Sequence, residues 1–561
     1  MGVQIMKYRT AIRKFVKEVR DGKLEKCDRK SLQSALNEGG KEAVEKLLKV
    51  AFLEYSMNFM SDGDKQRFNS LKQLSDLRFP AEWHPAARTI QRKIILHVGP
   101  TNSGKTYNAL KCLENANSGV YCGPLRLLAH EVFDRFNNKG VPCNLVTGEE
   151  RRVLEGINVP LTSSTIEMVN LQKQVDVAVI DEIQMLSDQQ RGWAWTQALL
   201  GLQAKEIHIC GEPSAVPLVK SICQSINEDI EVREYKRLST LEICPKSLDG
   251  DLKKIKKGDC VVTFSRKSIF SLKHEIEAAT GLRCAVAYGS LPPETRSQQA
   301  KLFNDPNSGF DVLVASDAIG MGLNLNIKRI VFESVKKYDG IGIRHIPIPQ
   351  IKQIAGRAGR FGTENTIGED TDLRYVHQAM EAPHKDLEMA GLQPTMEMVE
   401  LFAHQLPDVK EFAILLEKFE DLARVDGQYF LCNFHTQKLI ANTIELIPMT
   451  IPERFIFVTG PINTSDQRRP CNISKIVTLP ENVPHNDEML GDLESVHRTL
   501  MLYLWLSYKF SDTFVDVDLA REMKLRCETI IHDALQKLKT SRRRPRITTS
   551  VPIRIKKLGL N

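Results

Sequence analysis

The sequence has no long apolar run and no closely spaced cysteines. No stretch of its 561 residues approaches the roughly 18 consecutive apolar residues that a membrane-spanning helix needs, so we predict no such helix. The twelve cysteines are never closer than ten positions apart, which is the spacing of Cys112 and Cys122. This spacing excludes a Cys-x-x-Cys zinc pair and a compact disulfide framework, and it is typical of a reducing compartment.

Acidic residues are absent from the C-terminal end. Residues 536–561 contain nine Lys and Arg but no Asp or Glu, and since the whole chain has a net charge of +7, the remainder is close to neutral. This basic tail indicates either a polyanionic partner such as a nucleic acid, or a solvated or targeting segment. The basic and apolar N-terminus resembles a transit helix in composition, but Glu18 and Asp21 favour a helix of the folded protein.

Apolar spacing divides the chain into five regions. A chain of this length is too long for one core. From Lys93, and again from Cys260, short apolar runs alternate with helix-like stretches, which indicates parallel sheets covered on both faces. We predict an α/β protein with two tandem parallel-sheet domains at 93–235 and 236–375, a helical N-terminal domain at 1–92, a mainly helical C-terminal domain at 376–535 and the basic tail at 536–561.

A phosphate-binding loop follows the first predicted strand, KIILHV. The sequence GPTNSGKT fits the pattern G-x-x-x-x-G-K-[ST], with Gly99, Gly104, Lys105 and Thr106 in the required places. Glycines allow backbone N–H groups to close around phosphates, the lysine reaches the β and γ oxygens, and the threonine hydroxyl is suited to hold Mg²⁺. The motif therefore predicts nucleotide binding, with ATP and Mg²⁺ as cofactors.

A pair of acids ends another buried-strand run, VDVAVIDEIQM. Asp181 is placed to hold Mg²⁺, and Glu182 to polarise the attacking water as a general base. A lone Asp at such a point is also a common helix N-cap, and that alternative stays open. GEPSA, residues 211–215, follows a third strand and is either an element that senses nucleotide state or an ordinary turn.

The second predicted α/β domain has no phosphate-binding loop of its own. It contains VASDAIGMGLNLN and QIAGRAGR, in which Arg357 and Arg360 are fenced by glycines and are expected to share one face at the start of a helix. Arginines supplied across a cleft stabilise phosphoryl-transfer transition states. Pairing with nearby carboxylates is the alternative, but no Asp or Glu lies between Asp339 and Glu364.

The ordered motifs resemble those of superfamily 2 DExH-type helicases. GPTNSGKT, DEIQ, GEPSA, VTFSR, SDAIGMGLNLN and QIAGRAGR occur in that family's order, and their wording is most similar to the mitochondrial degradosome RNA helicases, the suppressor-of-var family. The resemblance runs from about Lys93 to Gly362 and continues into the C-terminal region. Gln184 and Ile354 replace the His and Arg of many superfamily 2 enzymes, and both match the degradosome family.

The resemblance implies a fold and an activity. It implies two RecA-like domains flanked by helical ones, NTP hydrolysis with Mg²⁺ and 3′ to 5′ unwinding of RNA. It further implies work beside an exoribonuclease of the mitochondrial degradosome, in the mitochondrial matrix. Nuclear localisation stays open because no transit peptide is evident, and the sequence indicates no oligomeric state.

The resemblance also assigns roles by position. Catalytic roles are implied for Lys105, Asp181, Glu182, Gln353, Arg357 and Arg360. Nucleotide contacts are implied for Gly99, Thr101, Asn102, Ser103, Gly104, Lys105, Thr106, Asp317 and Gly322, and metal binding for Thr106 and Asp181. Nucleic-acid contacts are implied for Arg126, Thr147, Gly148, Thr165, Ser265, Arg266 and Ser316. Such residues grip a sugar-phosphate backbone without reading bases, although each loop taken singly is more often an ordinary loop.

Two other functions remain compatible with the motifs. One is a nucleotide-gated RNA clamp that remodels a nuclease complex with little unwinding, and the other is a DNA translocase, because backbone contacts do not identify the sugar. Tyr503, Trp505 and Tyr508 are candidates for stacking on bases, but their helical spacing is more typical of a core.

Overall fold

The computed structural model describes residues 5–148, 150–154, 159–237, 241, 243, 247–248, 250–320, 322–338, 342–358, 370–460, 479, 484 and 486–537. The α-helices over these residues are α1 Ile5–Arg20, α2 Arg29–Ser56, α3 Asp62–Leu74, α4 Pro85–Arg88, α5 Lys105–Glu114, α6 Arg126–Asn138, α7 Gly192–Gly201, α8 Val216–Ser225, α9 Arg266–Thr280, α10 Pro293–Asn304, α11 Ile348–Ala355, α12 Asp370–Glu381, α13 Met396–His404, α14 Phe412–Leu422, α15 His435–Thr443, α16 Ile451–Val458, α17 Asp487–Lys509 and α18 Val517–Lys537. The strands are β1 Lys93–Val98, β2 Gly119–Gly123, β3 Cys143–Val146, β4 Arg151–Arg152, β5 Leu161–Thr165, β6 Val175–Ile180, β7 Ala204–Gly211, β8 Ile230–Glu234, β9 Asp259–Val262, β10 Arg283–Ala287, β11 Phe310–Ala315, β12 Arg329–Phe332, β13 Lys336–Tyr338, β14 Ile343–His345, β15 Ala390–Leu392 and β16 Tyr429–Leu431. No helix in these ranges has the length and apolar character needed to cross a membrane.

The first sheet has eight strands in the order β4-β3-β5-β2-β6-β7-β1-β8, and only the β3–β4 pair is antiparallel. β1 is buried at five of its six positions and runs parallel to β7, with Val98 opposite Gly211. β6 is the next strand beyond β7. Because these strands are parallel, the segments that follow β1, β6 and β7 leave the same edge of the sheet, where ligands of open α/β sheets usually bind.

The second sheet has four parallel strands in the order β10-β11-β9-β12. Apolar side chains cover both of its faces, as they do in the first sheet. A separate antiparallel hairpin pairs β13 with β14. The predicted α/β class with two parallel sheets and helical flanks is confirmed, while the five domain boundaries stay predictions.

The N-terminal helices form their own small core and then join the first sheet. Phe15 of α1 meets Phe52 of α2 edge to face, with ring centroids 5.2 Å apart. Further along, Leu71 of α3 and Leu77 are buried in the core of the first sheet. The helix at the N-terminus is therefore part of the folded structure over its described residues.

The C-terminal helices are divided between the two sheets. The residues from β15 to α16 share a core with the first sheet, through side chains that include Phe402, Phe419 and Val458. Helices α17 and α18 instead share a core with the second sheet, through Leu493 and Ile531 among others. The predicted single C-terminal domain is thus packed as two halves, each attached to a different sheet.

A buried carboxylate fixes α17 to the second sheet. Glu494 is 2% exposed and accepts hydrogen bonds from the Tyr288 hydroxyl (2.7 Å), the Ser290 hydroxyl (2.9 Å) and the Arg266 guanidinium (3.0 Å). Burial raises the pKa of Glu494, and the charge of Arg266 opposes that rise. The three donors all come from the second sheet's side of the contact, so this one side chain joins α17 to three residues there.

We expect Glu494→Ala to weaken this attachment. Removing the carboxylate leaves the buried Tyr288 hydroxyl without its acceptor and the Arg266 guanidinium paired with Asp487 alone, and a buried polar group that loses its partner costs about 1–3 kcal/mol. Thermal unfolding followed by circular dichroism should therefore begin at lower temperature, and limited proteolysis should release α17 and α18 sooner. Glu522→Ala, on an exposed position of α18, is the matched control, and equal unfolding midpoints for the two variants would contradict the expectation.

Candidate nucleotide-binding site

The phosphate-binding loop connects β1 to α5 at the edge of the first sheet. A Cβ atom at position 99 would lie 2.5 Å from the Tyr235 carbonyl oxygen, so only glycine fits there. Asn102 and Gly104 have φ angles of 65° and 83°, in the left-handed region. This path brings the first amides of α5 toward the inside of the loop, and a helix N-terminus of this kind favours anions.

Polar side chains of the loop face inward. The Lys105 ammonium donates to the Pro100 carbonyl (3.2 Å), and the Thr106 hydroxyl donates to Asp181 Oδ1 (3.3 Å). The Ser103 hydroxyl is buried and has no hydrogen-bond partner among the described residues. A buried hydroxyl without a hydrogen-bond partner destabilises a folded protein, so its presence in this loop is typical of a ligand-binding site.

Asp181 is buried directly after β6. Its Oδ2 accepts from the Tyr121 hydroxyl (3.0 Å), and its backbone carbonyl accepts from the Trp195 indole (2.9 Å). Burial and the charge of Glu182 raise the pKa of Asp181, while Lys105 opposes the rise. Asp181 makes no ion pair among the described residues, and together with the Thr106 hydroxyl it offers the oxygen ligands that a divalent cation prefers.

Glu182 adopts a strained backbone conformation. Its φ of 54° and ψ of 52° lie in the left-handed region, which costs a non-glycine residue on the order of 1–3 kcal/mol and is often found at functional sites. The Gln184 amide donates to the Glu182 carboxylate, and Gln184 Oε1 accepts from the Glu212 backbone N–H (3.2 Å). Gln184 thereby links the paired acids to the GEPSA segment after β7.

The segment after α11 reaches the phosphate-binding loop from the second sheet. A Cβ atom at position 356 would lie 3.1 Å from the Thr101 Cβ, so Gly356 permits a close backbone approach. Gln353 is one turn earlier on α11, and its Oε1 would lie 3.3 Å from a Cβ at Gly320. The structure therefore brings the QIAGRAGR motif against the phosphate-binding loop at Gly356, while the catalytic roles expected of Gln353, Arg357 and Arg360 stay predictions.

Arg357 does not lie at the start of a helix. Helix α11 ends at Ala355, so Arg357 follows a helix C-terminus, and the expectation that it begins a helix is wrong. We call each sheet, together with the helices packed on it, a unit; the first unit contains β1–β8 and the second unit contains β9–β12. The Arg357 guanidinium donates to the Gly320 carbonyl (2.7 Å) and the Leu323 carbonyl (3.4 Å) of its own, second unit. Arg360 lies outside the described residues.

Asp317 and Gly322 both lie on the loop that contains Gly320, in the second unit. Asp317 Oδ2 accepts from the Lys337 ammonium (2.6 Å) and the Gln350 amide (3.0 Å). Gly322 has a φ of 80°, and a Cβ there would lie 2.8 Å from Leu125 Cδ1 of the first unit. Gly322 therefore lies at the cleft between the units, and the predicted nucleotide contacts of Asp317 and Gly322 stay predictions.

Sequence reasoning missed Arg237. Its guanidinium donates to the carbonyls of Thr101 (3.0 Å), Gly356 (3.0 Å) and Ala358 (2.5 Å), so it touches both sides of the cleft. No motif contains it, because it lies on the connector that leaves β8. A basic residue shortly after the last strand of the first sheet was the only available signal.

Models of known protein families match the segments that carry these motifs. Residues 80–235 match a model described as the DEXQ-box helicase domain of Suv3, and residues 239–362 match the helicase conserved C-terminal domain. Residues 440–469 match Suv3 C-terminal domain 1, and residues 490–537 match the ATP-dependent RNA helicase SUV3 C-terminal domain. The DEXQ wording corresponds to Asp181, Glu182 and Gln184 of this chain.

Curated relatives cover most of the chain. The mitochondrial DExH-box ATP-dependent RNA helicase DExH18 of Arabidopsis thaliana is 43% identical over 547 residues, covering 94% of this chain and 70% of the relative. DExH16 of the same plant is 45% identical, covering 85% and 86%. The chain belongs to the Suv3 helicase family.

Other matches cover a smaller share of this chain or of the matched protein. The mitochondrial ATP-dependent RNA helicase SUPV3L1 of Homo sapiens is 45% identical over 84% of this chain, which spans 63% of that relative. Among solved structures, the Escherichia coli DEAH/RHA helicase HrpB covers 75% of this chain and 59% of that chain at 15% identity. Its TM-score of 0.44 is too low to support an argument.

The first unit of this Suv3-family chain carries four of the predicted nucleic-acid residues. Arg126 begins α6 at the cleft, where burial lowers its pKa to about 10 despite the nearby charge of Glu294. Thr147 Oγ1 accepts from the Glu150 backbone N–H (3.1 Å). Gly148 approaches the Trp505 indole, to which a Cβ would come within 3.2 Å, and Thr165 is buried at the end of β5. Their RNA contacts stay predictions.

The second unit carries the other three. Ser265 is exposed before α9, and the Ser316 hydroxyl accepts from the Ala318 N–H (3.2 Å). Arg266, by contrast, pairs with Glu494 (3.0 Å) and Asp487 (3.1 Å) of α17. The structure therefore shows Arg266 engaged in fixing the C-terminal helices, which sequence reasoning did not foresee.

The three aromatic residues of α17 differ in environment. Trp505 is buried, and Tyr503 packs edge to face on Phe514 with centroids 5.2 Å apart. Tyr508 is half-buried, and its ring faces the Arg151 guanidinium at 5.9 Å. Packing thus accounts for Trp505 and Tyr503, as their spacing favoured, and Tyr508 borders the hairpin of β3 and β4.

Gly99→Ala tests how tightly the connector after β8 lies on the loop. The new methyl group would meet the Tyr235 carbonyl at 2.5 Å, so either the connector or the phosphate-binding loop must move. We expect weaker binding of a fluorescent ADP analogue, measured by anisotropy, with the fold retained. Gly289→Ala, where a Cβ would meet nothing within 4 Å, is the control, and equal affinities for the two variants would contradict this packing.

Proposed function

We propose that this chain is a mitochondrial ATP-dependent RNA helicase that translocates 3′ to 5′ and unwinds RNA beside an exoribonuclease. Membership of the Suv3 family supports the ATP-dependent RNA helicase activity, and the names of its relatives support the mitochondrial location. The observation that carries the proposal is the approach of Gly356 to Thr101, because it brings the second sheet's motif onto the phosphate-binding loop. The exoribonuclease and the polarity rest on the motif resemblance alone.

Residues of the first unit bind ATP and activate the attacking water. Lys105 is positioned to meet the β and γ phosphate oxygens of ATP, and the amides at the start of α5 complete the cradle. Thr106 and Asp181 would hold Mg²⁺, which when bound neutralises phosphate charge. Glu182, whose carboxylate is oriented by the Gln184 amide, acts as the general base toward the attacking water.

The second unit completes the site. Gln353 and the arginines of the QIAGRAGR motif supply polar and positive groups where charge develops during phosphoryl transfer. In the present arrangement Arg357 braces the loop at Gly320 and Leu323, which leaves Arg360 as the preferred candidate for the arginine that acts across the cleft. Nucleotide chemistry then depends on the two units meeting.

Closure and opening of this cleft are coupled to RNA movement. The predicted RNA contacts come from loops of both units, so a change in the cleft alters their spacing along a strand. Hydroxyls, amides and arginines suit single-stranded RNA and the displaced strand of a duplex, and they do not exclude DNA. A nucleotide-gated clamp and a DNA translocase remain the alternatives.

Variants of the two units separate binding from hydrolysis. Lys105→Ala should lose both ATP binding and RNA-stimulated ATPase activity. Arg360→Ala should still bind ATP but hydrolyse it about a thousandfold more slowly, because arginine fingers contribute on this scale. Arg526→Ala, on an exposed position of α18, serves as the control. Hydrolysis by Arg360→Ala at the wild-type rate would refute the cross-cleft role.

Strand displacement on duplexes with a 3′ or a 5′ overhang, made of RNA or of DNA, tests the function itself. We expect ATP-dependent displacement of RNA duplexes that carry a 3′ overhang, and Lys105→Ala should show none. ATP hydrolysis with RNA binding but without displacement would favour the clamp. Displacement of DNA duplexes at equal or higher rates would favour the DNA translocase.

A further inference from the structure

We propose that Arg237 is a positioning residue for ATP hydrolysis, which holds the backbone on both sides of Arg357 against the phosphate-binding loop. The proposal rests on the proposed function, because it concerns how the second unit is placed for that reaction. It adds a residue outside every recognised motif of the chain.

The connector after β8 lies along the phosphate-binding loop. The Tyr235 N–H donates to the Val98 carbonyl (2.8 Å), which continues the pairing of β8 with β1 beyond the strand. The Tyr235 carbonyl then lies against Gly99, as the 2.5 Å distance to a Cβ there shows. Two residues later the chain reaches Arg237, so this side chain starts from a backbone fixed on the loop.

Among the described residues, the Arg237 guanidinium bridges the two units through hydrogen bonds to backbone oxygens. One of its terminal nitrogens, Nη1, donates to the carbonyls of Thr101 and Gly356, both at 3.0 Å. The other, Nη2, donates to the Ala358 carbonyl at 2.5 Å. Gly356 and Ala358 immediately flank Arg357, so the bridge fixes the peptide segment from which Arg357 projects.

Only a planar, multidentate cation fits this geometry. Arginine offers five N–H donors in a rigid fork, whereas lysine offers one compact ammonium that does not span three separated carbonyls. Among the described residues Arg237 makes no ion pair, and its Nε is buried without a hydrogen-bond partner. Arg237 therefore acts on the two units through its hydrogen bonds to backbone carbonyls.

The contact also explains why the segment is built from small residues. Gly356 sits against Thr101, and Ala358 is buried at 1% exposure. Larger side chains would separate the backbone from the guanidinium. Loss of the bridge should therefore shift the segment after α11 relative to the phosphate-binding loop, and a displacement of about 1 Å at a reacting centre is enough to lower a rate on the order of a hundredfold.

The test compares Arg237→Met and Arg237→Lys with Arg233→Met. Arg233 is an exposed residue of β8 that pairs with Glu231, so its variant controls for loss of one arginine from the same part of the chain. We expect both Arg237 variants to show RNA-stimulated kcat lowered about 10–100-fold, with affinity for a fluorescent ADP analogue and the thermal unfolding midpoint unchanged. Arg233→Met should match the wild type in all three measurements.

A double-mutant cycle with Arg360→Lys tests whether Arg237 acts through the arginine motif. Residues of one functional unit give non-additive effects, so the double variant should be less impaired than the product of the single effects. Full activity of Arg237→Lys would show that charge alone suffices and would overturn the positioning role, as would wild-type kcat in Arg237→Met. A wild-type protein without RNA-stimulated ATPase activity would overturn the proposed function itself, which is a separate result.

Discussion

The close contact between the phosphate-binding loop and the segment after α11 is the constraint on which the site depends. Gly356 allows the Thr101 side chain to touch that segment, and Gly99 allows the connector after β8 to lie on the same loop. Three stretches of backbone, far apart in sequence, thereby meet at one place. Glycines at the points of approach permit this arrangement, and the Arg237 guanidinium binds the backbone of the phosphate-binding loop and of the segment after α11.

Much of this site was predictable because its residues follow strands of a parallel sheet. Gly104, Lys105 and Asp181 each come shortly after a run of buried apolar residues, and parallel strands bring their carboxyl ends to one edge. The residue types then carry their own chemistry: glycine for positive φ, lysine for phosphate, carboxylate for a cation. Local sequence thus indicated where these residues lie, and their chemical roles stay predictions.

Other features had no local signal. Arg266 belongs to a motif that suggests a phosphate contact, yet its partner Glu494 lies more than 200 positions away on α17. The division of the C-terminal helices between two sheets is equally invisible, because Phe402 and Ile531 have the same apolar character and differ only in which core receives them. Helical periodicity predicts that one face of a helix is buried, but tertiary packing determines which core that face joins.

The split packing of the C-terminal helices creates a second contact between the two sheets, away from the nucleotide cleft. It is formed by the hairpin of β3 and β4 on the first sheet and by the last turns of α17, a helix that packs on the second sheet. The two elements touch where Gly148 meets Trp505 and where Arg151 faces Tyr508. Because each element packs on its own sheet, a rotation of one sheet against the other at the nucleotide cleft also changes the distance between the hairpin and α17.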